Sequence, residues 1–551
     1  MSDVALSAML SEMPTTIASN LTAPASPSFL FLLADDIGWA DFGYNNGTAR
    51  TPRIDAWARA KGSVLLQDFH SGGTVCSPTR ATVLTGRNHF RDCVDYVYDC
   101  SDMTECVPAM PFAPQRTFTV GDAVRAALPN SESFFAGKWH LGSFYNDSDA
   151  YGGITSSPLT HGFDKMNATV EVAPTMTTNW QCTTEWDAHA NFGHYGAPNH
   201  CAGGPNPGGS SLPDGCCFNY WRGDPDTPHG VSNQTTATVE DDSLHLSDAF
   251  HHFVASRGGA PFFAQISFHN CHIPFLGNNA TRDACARGET CAPPAPGDPP
   301  YTFSELDFYS CLTLLDGAVG RVLDTLEGAG YRDDTMVWFT TDNGPEVNCH
   351  PEGICEGAPH RPTAAPGSAG PLRGRKRDIW EGGHRVPGIV AWPAVVGDRN
   401  LESWTTVGTF DFLPTVMEVL GVSRPAAQAG WAVDGTSILP VLRGESLAPR
   451  GVGWVFVGRD PRHCVADPKL GYGFRYGKWK LVVGSVSCTK DDCRQSQLYD
   501  LDADLGERHD LAIGPQARPD VLKAIEANFT AWFDGVLASR KEESRCPQDA
   551  E

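Results

Sequence analysis

The sequence predicts an α/β fold, with a large sheet flanked by helices and a second, smaller domain towards the carboxyl end. Two observations support this prediction. Short apolar runs of strand length recur along the chain, each followed by polar, ionisable residues, and segments with helical character lie among them. The chain of 551 residues is also too long for one simple core, so two domains are expected.

Four apolar runs are predicted to be buried strands. In chain order they occupy residues 28–33, 134–137, 261–268 and 335–340. The polar segments that follow them contain Asp35 and Asp36, Lys138 and His140, His269 and His272, and Asp342 and Asn343. Because open α/β sheets bind ligands at the carboxyl ends of their strands, we predict that these segments meet at one site. Helices are expected at residues 52–61 and 316–326.

Each polar segment also has an ordinary structural interpretation. The two adjacent aspartates could cap a helix or form a turn, the Asp342-Asn343-Gly344 sequence has turn chemistry, and an isolated histidine is usually structural. These interpretations leave unexplained why all four segments follow strands. A shared functional site is therefore the favoured hypothesis.

Residues 76–80 read Cys-Ser-Pro-Thr-Arg and lead into a segment with helical character. We predict that Cys76 lies at or just before the first helical turn, because Pro78 suits an early helical position. The helix terminus would then favour an anionic group held at position 76. A plain Cys76 thiolate, its pKa lowered by Arg80 and the helix terminus, is one candidate nucleophile.

Hard oxygen ligands follow two of the predicted strands. Asp35, Asp36, Asp342 and Asn343 suit Ca²⁺ or Mg²⁺ and not Zn²⁺, and no Cys/His pattern with zinc spacing competes with them. A soft thiolate is a poor partner for such a hard ion. The residues alone therefore leave the form of the nucleophile open.

Together these segments resemble the sulfatase family, the formylglycine-dependent branch of the alkaline-phosphatase-like superfamily. Residues 76–80 and the Leu-Thr-Gly-Arg that follows match its modification motif, and 137–142 match its second signature. Residues 33–44 and 342–344 match its metal-binding segments, and 380–387 resemble its late Glu-Gly-Gly segment. Residues 473–481 and 497–501 resemble paired strands of its small C-terminal domain. The similarity runs from about Ser28 to the carboxyl end.

The resemblance implies a large mixed sheet flanked by helices, with a smaller C-terminal domain built on an antiparallel sheet. The predicted boundaries are a mobile tail at 1–27, a catalytic domain at 28–445, the smaller domain at 446–540 and a tail at 541–551. Residues 179–226, rich in Gly, Pro and Cys, are predicted to form a disulfide-pinned insertion that shapes binding.

The resemblance also implies a sulfuric ester hydrolase that acts on aryl or carbohydrate sulfates. A formylglycine-generating enzyme would convert Cys76 to formylglycine, whose hydrate is the nucleophile. The implied cation is Ca²⁺ rather than Mg²⁺. Its implied ligands are Asp35, Asp36, residue 76, Asp342 and Asn343.

The remaining roles are carried over from the same motifs. Arg80 and Lys138 would stabilise the diol and sulfate oxygens, and His140 would be the base for elimination of sulfate. His272 matches the family's leaving-group histidine. Lys376 stands where the family places its second sulfate-binding lysine, although its two arginine neighbours are close enough to exchange with it.

Two functions other than sulfate hydrolysis are compatible with this fold. A phosphonate monoester or phosphodiester hydrolase of the same superfamily would share the modification, and its substrates share the geometry of sulfate esters. A catalytically silent secreted protein that binds glycans could keep the fold. Retention of Cys76, Arg80, Lys138, His140 and His272 argues against the silent protein.

Composition restricts partners and compartment. The net charge of −24 argues against nucleic-acid binding, and no apolar run approaches the roughly 18 residues of a membrane span. Eighteen cysteines and several Asn-x-Ser/Thr patterns favour an oxidising secretory compartment, with a secreted or lysosome-like enzyme. The first 27 residues lack the apolar core of a signal peptide, so a start site further upstream is expected.

Overall fold

The computed structural model describes residues 23–97, 117–142, 156–169, 216–224, 232–238, 242–272, 275, 277–346, 366–457, 470–484 and 495–544. Most of the predicted insertion at 179–226 lies outside these residues, as does most of each predicted tail. The described part of the insertion, Cys216–Gly223, is a strand of the main sheet and not a loop.

Two sheets and a short strand pair organise the described chain. The strands are β1 Ser28–Ala34, β2 Ser63–Leu66, β3 Phe69–His70, β4 Glu132–Lys138, β5 Lys165–Thr169, β6 Cys216–Gly223, β7 Ser232–Thr238, β8 Phe262–Ser267, β9 Thr335–Thr341, β10 Gly388–Ala391, β11 Leu401–Ser403, β12 Val407–Gly408, β13 Gly451–Val457, β14 Leu470–Tyr476, β15 Trp479–Val483 and β16 Gln497–Asp500. The large mixed sheet has ten strands in the order β11-β2-β10-β9-β1-β8-β4-β5-β6-β7. The predicted α/β class with a mixed sheet is confirmed.

Helices pack on the large sheet and beside the small one. They are α1 Pro52–Ala58, α2 Cys76–Thr85, α3 Val120–Ala127, α4 Ser243–Ala255, α5 Asn279–Ala286, α6 Phe303–Gly328, α7 Glu381–His384, α8 Pro393–Val396, α9 Phe412–Leu420, α10 Leu439–Leu442 and α11 Pro519–Ser539. The helix expected at 316–326 is much longer, because a capping box between Thr302 and Glu305 starts it at Phe303. None of the described helices is long and apolar enough to cross a membrane.

The central strands bring the predicted polar segments to one edge of the sheet. Strand β1 is buried along all seven residues, as expected for an apolar strand between two parallel neighbours. It pairs in parallel with β8 and β9, and β8 pairs in parallel with β4. In this register Ala34 lies beside Thr341. The residues that follow these four strands therefore emerge side by side.

The C-terminal part is a four-stranded antiparallel sheet in the order β13-β14-β15-β16, covered by α11. Gly453 of β13 allows this contact, because a Cβ there would lie 2.3 Å from the Trp532 ring of α11. On its other side the sheet joins a shared apolar core that includes Trp454 and the Val75 that precedes α2. The small sheet thus supports the start of the Cys76 helix.

Candidate active site

Cys76 is the first residue of α2, as its sequence context predicts. Val75 before it is extended, and Gly86 ends the helix with φ 66°, a left-handed conformation that glycine adopts without strain. All ten helix residues are buried. The Cys76 side chain therefore projects from a fixed helix terminus inside the protein.

Cys76 lies within the cluster of charged groups at the strand ends. Its Sγ is 3.7 Å from Oδ1 of Asp35. Arg80, one turn along the helix, donates to Oδ2 of Asp35 at 3.0 Å and to Oδ2 of Asp342 at 2.7 Å. The Arg80 guanidinium also donates to the Lys138 carbonyl at 2.6 Å, and the Lys138 ammonium pairs with Asp35. Three strand ends and one helix meet here.

Asp36 forms the other half of the cluster. It adopts φ 57°, the left-handed region, and its backbone N–H donates to Oδ1 of Asp342 at 3.3 Å. The amide of Asn343 donates to Oδ1 of Asp36 at 2.7 Å. Nε2 of His272 is 3.6 Å from Oδ2 of Asp36. The polar segments after β1, β8 and β9 therefore converge as predicted.

The three basic side chains at 375–377 contact different partners. Lys376 reaches Asp36 at 2.7 Å and Oε2 of Glu346 at 2.9 Å. The Arg375 guanidinium instead donates to backbone carbonyls at residues 346, 366 and 367. Arg377 pairs with the Glu346 carboxylate. Of the three candidates that the sequence left interchangeable, Lys376 is the one that contacts Asp36.

Two of the histidines differ in their surroundings. The buried His140, with φ 55°, accepts a hydrogen bond at its carbonyl from the Ser77 hydroxyl at 2.6 Å, which sets it against the first turn of α2. His269 lies in a separate network, 2.5 Å from Oδ2 of Asp242 and 2.8 Å from the Thr169 hydroxyl. His269 is thus a neighbour of the cluster, in agreement with the assignment of His272 and not His269 to it.

The electrostatics separate the two adjacent aspartates. Burial is the largest influence on each and raises the pKa of both. At Asp35, the charge of Lys138 and other nearby cations overcomes burial and holds the pKa well below the usual value. At Asp36, Lys376 opposes burial but Asp35 adds to it, and the pKa rises to about 7. The two adjacent carboxyls therefore differ in pKa although both are buried.

The thiol and the histidine also respond to this field. Burial, then Asp342 and Asp35, raise the pKa of the Cys76 thiol, opposite to the lowering that the sequence suggested for a plain thiolate. Burial and two nearby lysines, Lys138 foremost, lower the pKa of His272 well below its usual value. Burial and these carboxylates therefore favour the neutral thiol of an unmodified Cys76 over its thiolate.

The donor set fits a hard cation. One ligand-type atom from each of Asp35, Asp36, Cys76 and His272 lies within 4.8 Å of the others. The buried Oδ1 of Asn343 has no hydrogen-bond partner among the described residues, which is unusual for a buried amide oxygen. A cation bound between the carboxylates would satisfy that oxygen.

Sequence reasoning missed Glu346, which is buried and holds both Lys376 and Arg377. It stands four residues after Asp342, and the basic run at 373–377 offers an acidic residue near the site several possible partners. That combination was the sequence feature that could have indicated Glu346. We use the name Cys76 cluster for these side chains together: Asp35, Asp36, Cys76, Arg80, Lys138, His272, Asp342, Asn343, Glu346, Lys376 and Arg377.

A second buried group of ionisable side chains lies between the large and the small sheet. This inter-sheet cluster comprises Asp68, His70, Glu381, His384, Arg385, Arg475, Lys480 and Glu507. Ligand-type atoms of His70, Glu381 and His384 also lie within 4.8 Å of one another. The sequence indicated only Glu381 and its neighbours, as part of the late motif.

Comparison with known proteins places the chain in a family. The profile of the Sulfatase family matches residues 27–422. Arylsulfatase G from Canis lupus familiaris is 27% identical over 95% of this chain and 85% of its own. N-acetylgalactosamine-6-sulfatase from Homo sapiens is 26% identical over 95% of this chain and 89% of its own.

The fold comparison agrees. The crystal structure of PsFucS1 sulfatase from Pseudoalteromonas sp. matches with a TM-score of 0.61 and 20% identity, covering 95% of this chain and 91% of that one. At this identity the likeness shows the fold alone. The family match covers well over half of the sequence and includes every strand end of the Cys76 cluster. The chain therefore belongs to the sulfatase family and is a sulfuric ester hydrolase.

Proposed function

We propose that this enzyme cleaves aryl or carbohydrate sulfate esters with a formylglycine hydrate at position 76 and a bound Ca²⁺. The observation that supports this most directly is the position of Cys76: its Sγ is 3.7 Å from Asp35, inside a carboxylate cluster, at a helix terminus. A modified side chain at this position would lie next to both the cation and the sulfate-binding lysines.

The cation would be held by Asp35, Asp36, Asp342, Asn343 and residue 76. Carboxylates and an amide oxygen suit Ca²⁺ better than Mg²⁺, which tends to keep several waters and few protein ligands. When bound, the ion would polarise the sulfate oxygens and favour the deprotonated form of a nearby hydroxyl.

Maturation would replace the CH₂–SH of Cys76 with CH=O, with a formylglycine-generating enzyme using dioxygen as the oxidant. One oxygen atom would become the aldehyde oxygen, the sulfur would leave as sulfide, and an external thiol would reduce the second oxygen atom to water. The hydrated aldehyde offers two hydroxyls on one carbon. One can attack sulfur, and loss of the proton from the other can later expel sulfate and restore the aldehyde. A serine at this position would lack the second hydroxyl.

The remaining steps fall to side chains whose positions are described above. Arg80, Lys138 and Lys376 would neutralise the sulfate oxygens. His272 would pass a proton to the departing alcohol oxygen. Burial, followed by the charges of Lys138 and Lys376, lowers its pKa in the resting site, and the substrate anion would offset those two charges and favour the protonated form. His140 would accept the proton that leaves the second hydroxyl.

The substrate class rests on the relatives and not on a contact. One relative is named an arylsulfatase and another an N-acetylgalactosamine-6-sulfatase, so aryl and sugar sulfates are both proposed. A secretory compartment is proposed from the cysteine content and from the disulfide between Cys285 and Cys291.

Peptide mass spectrometry across residue 76 tests the nucleophile. We expect a loss of about 18 Da relative to the thiol, and free sulfate released from a panel of aryl and sugar sulfates. Cys76→Ala is the matched control and should be inactive. A fully active enzyme with an intact thiol would refute the proposal, and a large preference for phosphodiesters would favour the phosphorus-ester alternative.

A further inference from the structure

Glu346 is the only carboxylate of the Cys76 cluster outside the proposed cation ligands. It follows the turn after β9 and is buried. Its Oε2 lies 2.9 Å from the Lys376 ammonium, and its carboxylate also pairs with the Arg377 guanidinium. Lys376 in turn contacts Asp36 at 2.7 Å. Glu346 is therefore separated from the centre of the site by a single ammonium group.

The formal charges of the Cys76 cluster cancel. Its four carboxylates are Asp35, Asp36, Asp342 and Glu346, and its four cations are Arg80, Lys138, Lys376 and Arg377. A divalent cation and one deprotonated hydroxyl then leave a single positive charge to meet the substrate. A sulfate ester carries one negative charge, whereas the sulfate product and a phosphate monoester near neutral pH carry about two.

We propose that Glu346 is a specificity-determining residue that matches the charge of the site to singly charged esters. Its carboxylate cancels the charge that Arg377 would otherwise add beside Lys376. The site then favours the monoanionic substrate over dianionic phosphate monoesters, and it releases the dianionic product. This inference rests on the proposed function, because it assumes that the substrate anion binds at Lys376.

Removing one buried negative charge strengthens anion binding, and it does so more for a dianion than for a monoanion. At about 6 Å and an effective dielectric constant of about 20, one unit charge changes affinity by at least about tenfold for each charge on the anion. Inorganic sulfate and sulfamate are suitable probes, because both are tetrahedral and they differ by one charge. Their dissociation constants can be measured by calorimetry on the mature, calcium-loaded enzyme.

The variants form a charge series. Glu346→Gln should tighten sulfate about tenfold more than sulfamate, and should raise kcat/KM for an aryl phosphate relative to the matching aryl sulfate. Arg377→Gln should shift both ratios in the opposite direction. The double variant restores the charge and should restore the wild-type ratios. A purely structural role would make the double variant worse than either single one.

Glu381→Gln is the matched control, because it removes a buried carboxylate beside a lysine in the inter-sheet cluster. It should leave both ratios unchanged. A folded Glu346→Gln with the wild-type sulfate-to-sulfamate ratio would overturn the inference. If that variant fails to fold, an unchanged ratio in Arg377→Gln overturns it equally. Failure of the proposed function is distinct: the wild-type enzyme would then release no sulfate or keep its thiol.

Discussion

The Cys76 cluster and the inter-sheet cluster are both buried, both highly charged, and both gather ligand-type atoms within 4.8 Å. We propose a cation for the first alone, because the two imidazoles of the second already contact each other. In the inter-sheet cluster, Oδ1 of Asp68 forms ion pairs with the Arg385 guanidinium at 3.0 Å and the Arg475 guanidinium at 2.7 Å. Oε1 of Glu381 pairs with the Lys480 ammonium at 2.7 Å. The carboxylates of the Cys76 cluster have comparable partners, because Arg80 contacts Asp35 and Asp342 and Lys376 contacts Asp36, so ion pairs alone do not separate the two clusters.

The imidazole nitrogens of the inter-sheet cluster also have hydrogen-bond partners. The Nδ1 atoms of His70 and His384 are 3.0 Å apart, so one donates to the other, and the His384 ring stacks on Trp454 with centroids 4.0 Å apart. A metal ion there would displace this bond and would face Lys480 and Arg475. The cluster is therefore a saturated network that joins two sheets.

The pKa directions differ between some carboxyls of the two clusters, although the pKa of Asp35 is lowered in the Cys76 cluster and that of Glu507 is raised in the inter-sheet cluster. Although burial alone would raise them, the cations beside Asp68 and Glu381 hold the pKa of both carboxyls well below the usual values. In the Cys76 cluster, burial and neighbouring carboxylates raise the pKa of Asp36 and Asp342. A group of donor atoms at short distances is thus insufficient evidence for a metal site. The other hydrogen-bond and ion-pair partners of those atoms must also be considered.

Removing a proposed cation ligand should have the largest effect. Asp36→Asn is expected to lower kcat/KM at least about 100-fold, because both the cation and its charge on the sulfate oxygens are lost. It should also abolish the stabilisation that Ca²⁺ gives the wild type, which is about 2.7 kcal/mol at 100 times the dissociation constant and appears as a rise in melting temperature. Thermal melts with and without Ca²⁺ measure this.

His384→Gln is the matched control from the inter-sheet cluster. It should keep the calcium-dependent shift in melting temperature at the wild-type size. If His384→Gln lost that shift and Asp36→Asn kept it, the assignment of the cation to the Cys76 cluster would be wrong.

Removing an ion pair from the inter-sheet cluster should lower the free energy of unfolding and leave kcat/KM nearly unchanged. Lys480→Met leaves Glu381 buried beside fewer cations, and loss of one partner of a buried ion pair typically costs about 3–5 kcal/mol. Urea denaturation gives that loss, while kcat/KM of the folded fraction should stay within about threefold of wild type. A variant of unchanged stability and greatly reduced kcat/KM would show that this cluster serves catalysis.

The sequence was most informative where one strong local signal sufficed. The fully buried β1 was predicted almost to the residue, because seven apolar or small residues in a row allow few alternatives. The start of α6 was missed although the Thr302 and Glu305 capping box was readable. The Cys76 position at the helix start followed from Pro78 and the residues around it.

The charge partners could not be predicted in the same way. Lys480 lies on β15 and Asp68 just before β3, and only the packing of the two sheets brings them into one cluster. Glu346 and Arg377 meet across 31 residues, much of that stretch outside the described chain. Patterns along a sequence indicate which residues follow strands. They do not indicate which distant charges will neutralise one another.

The smallest expected effect concerns Glu507, where burial raises the pKa to about 8 despite Lys480 nearby. Between the unfolded value of 4.5 and about 8, the folded protein keeps a proton that the unfolded chain has lost. This contribution to stability is complete below pH 4.5 and is lost as the pH rises towards 8, with a slope of at most about 1.4 kcal/mol per pH unit. Glu507→Gln should remove that slope, so the stability difference between variant and wild type, from urea melts across this range, should grow with pH in favour of the variant. A constant difference would mean that Glu507 is ionised throughout, with its charge balanced by Lys480 as fully as that of Glu381.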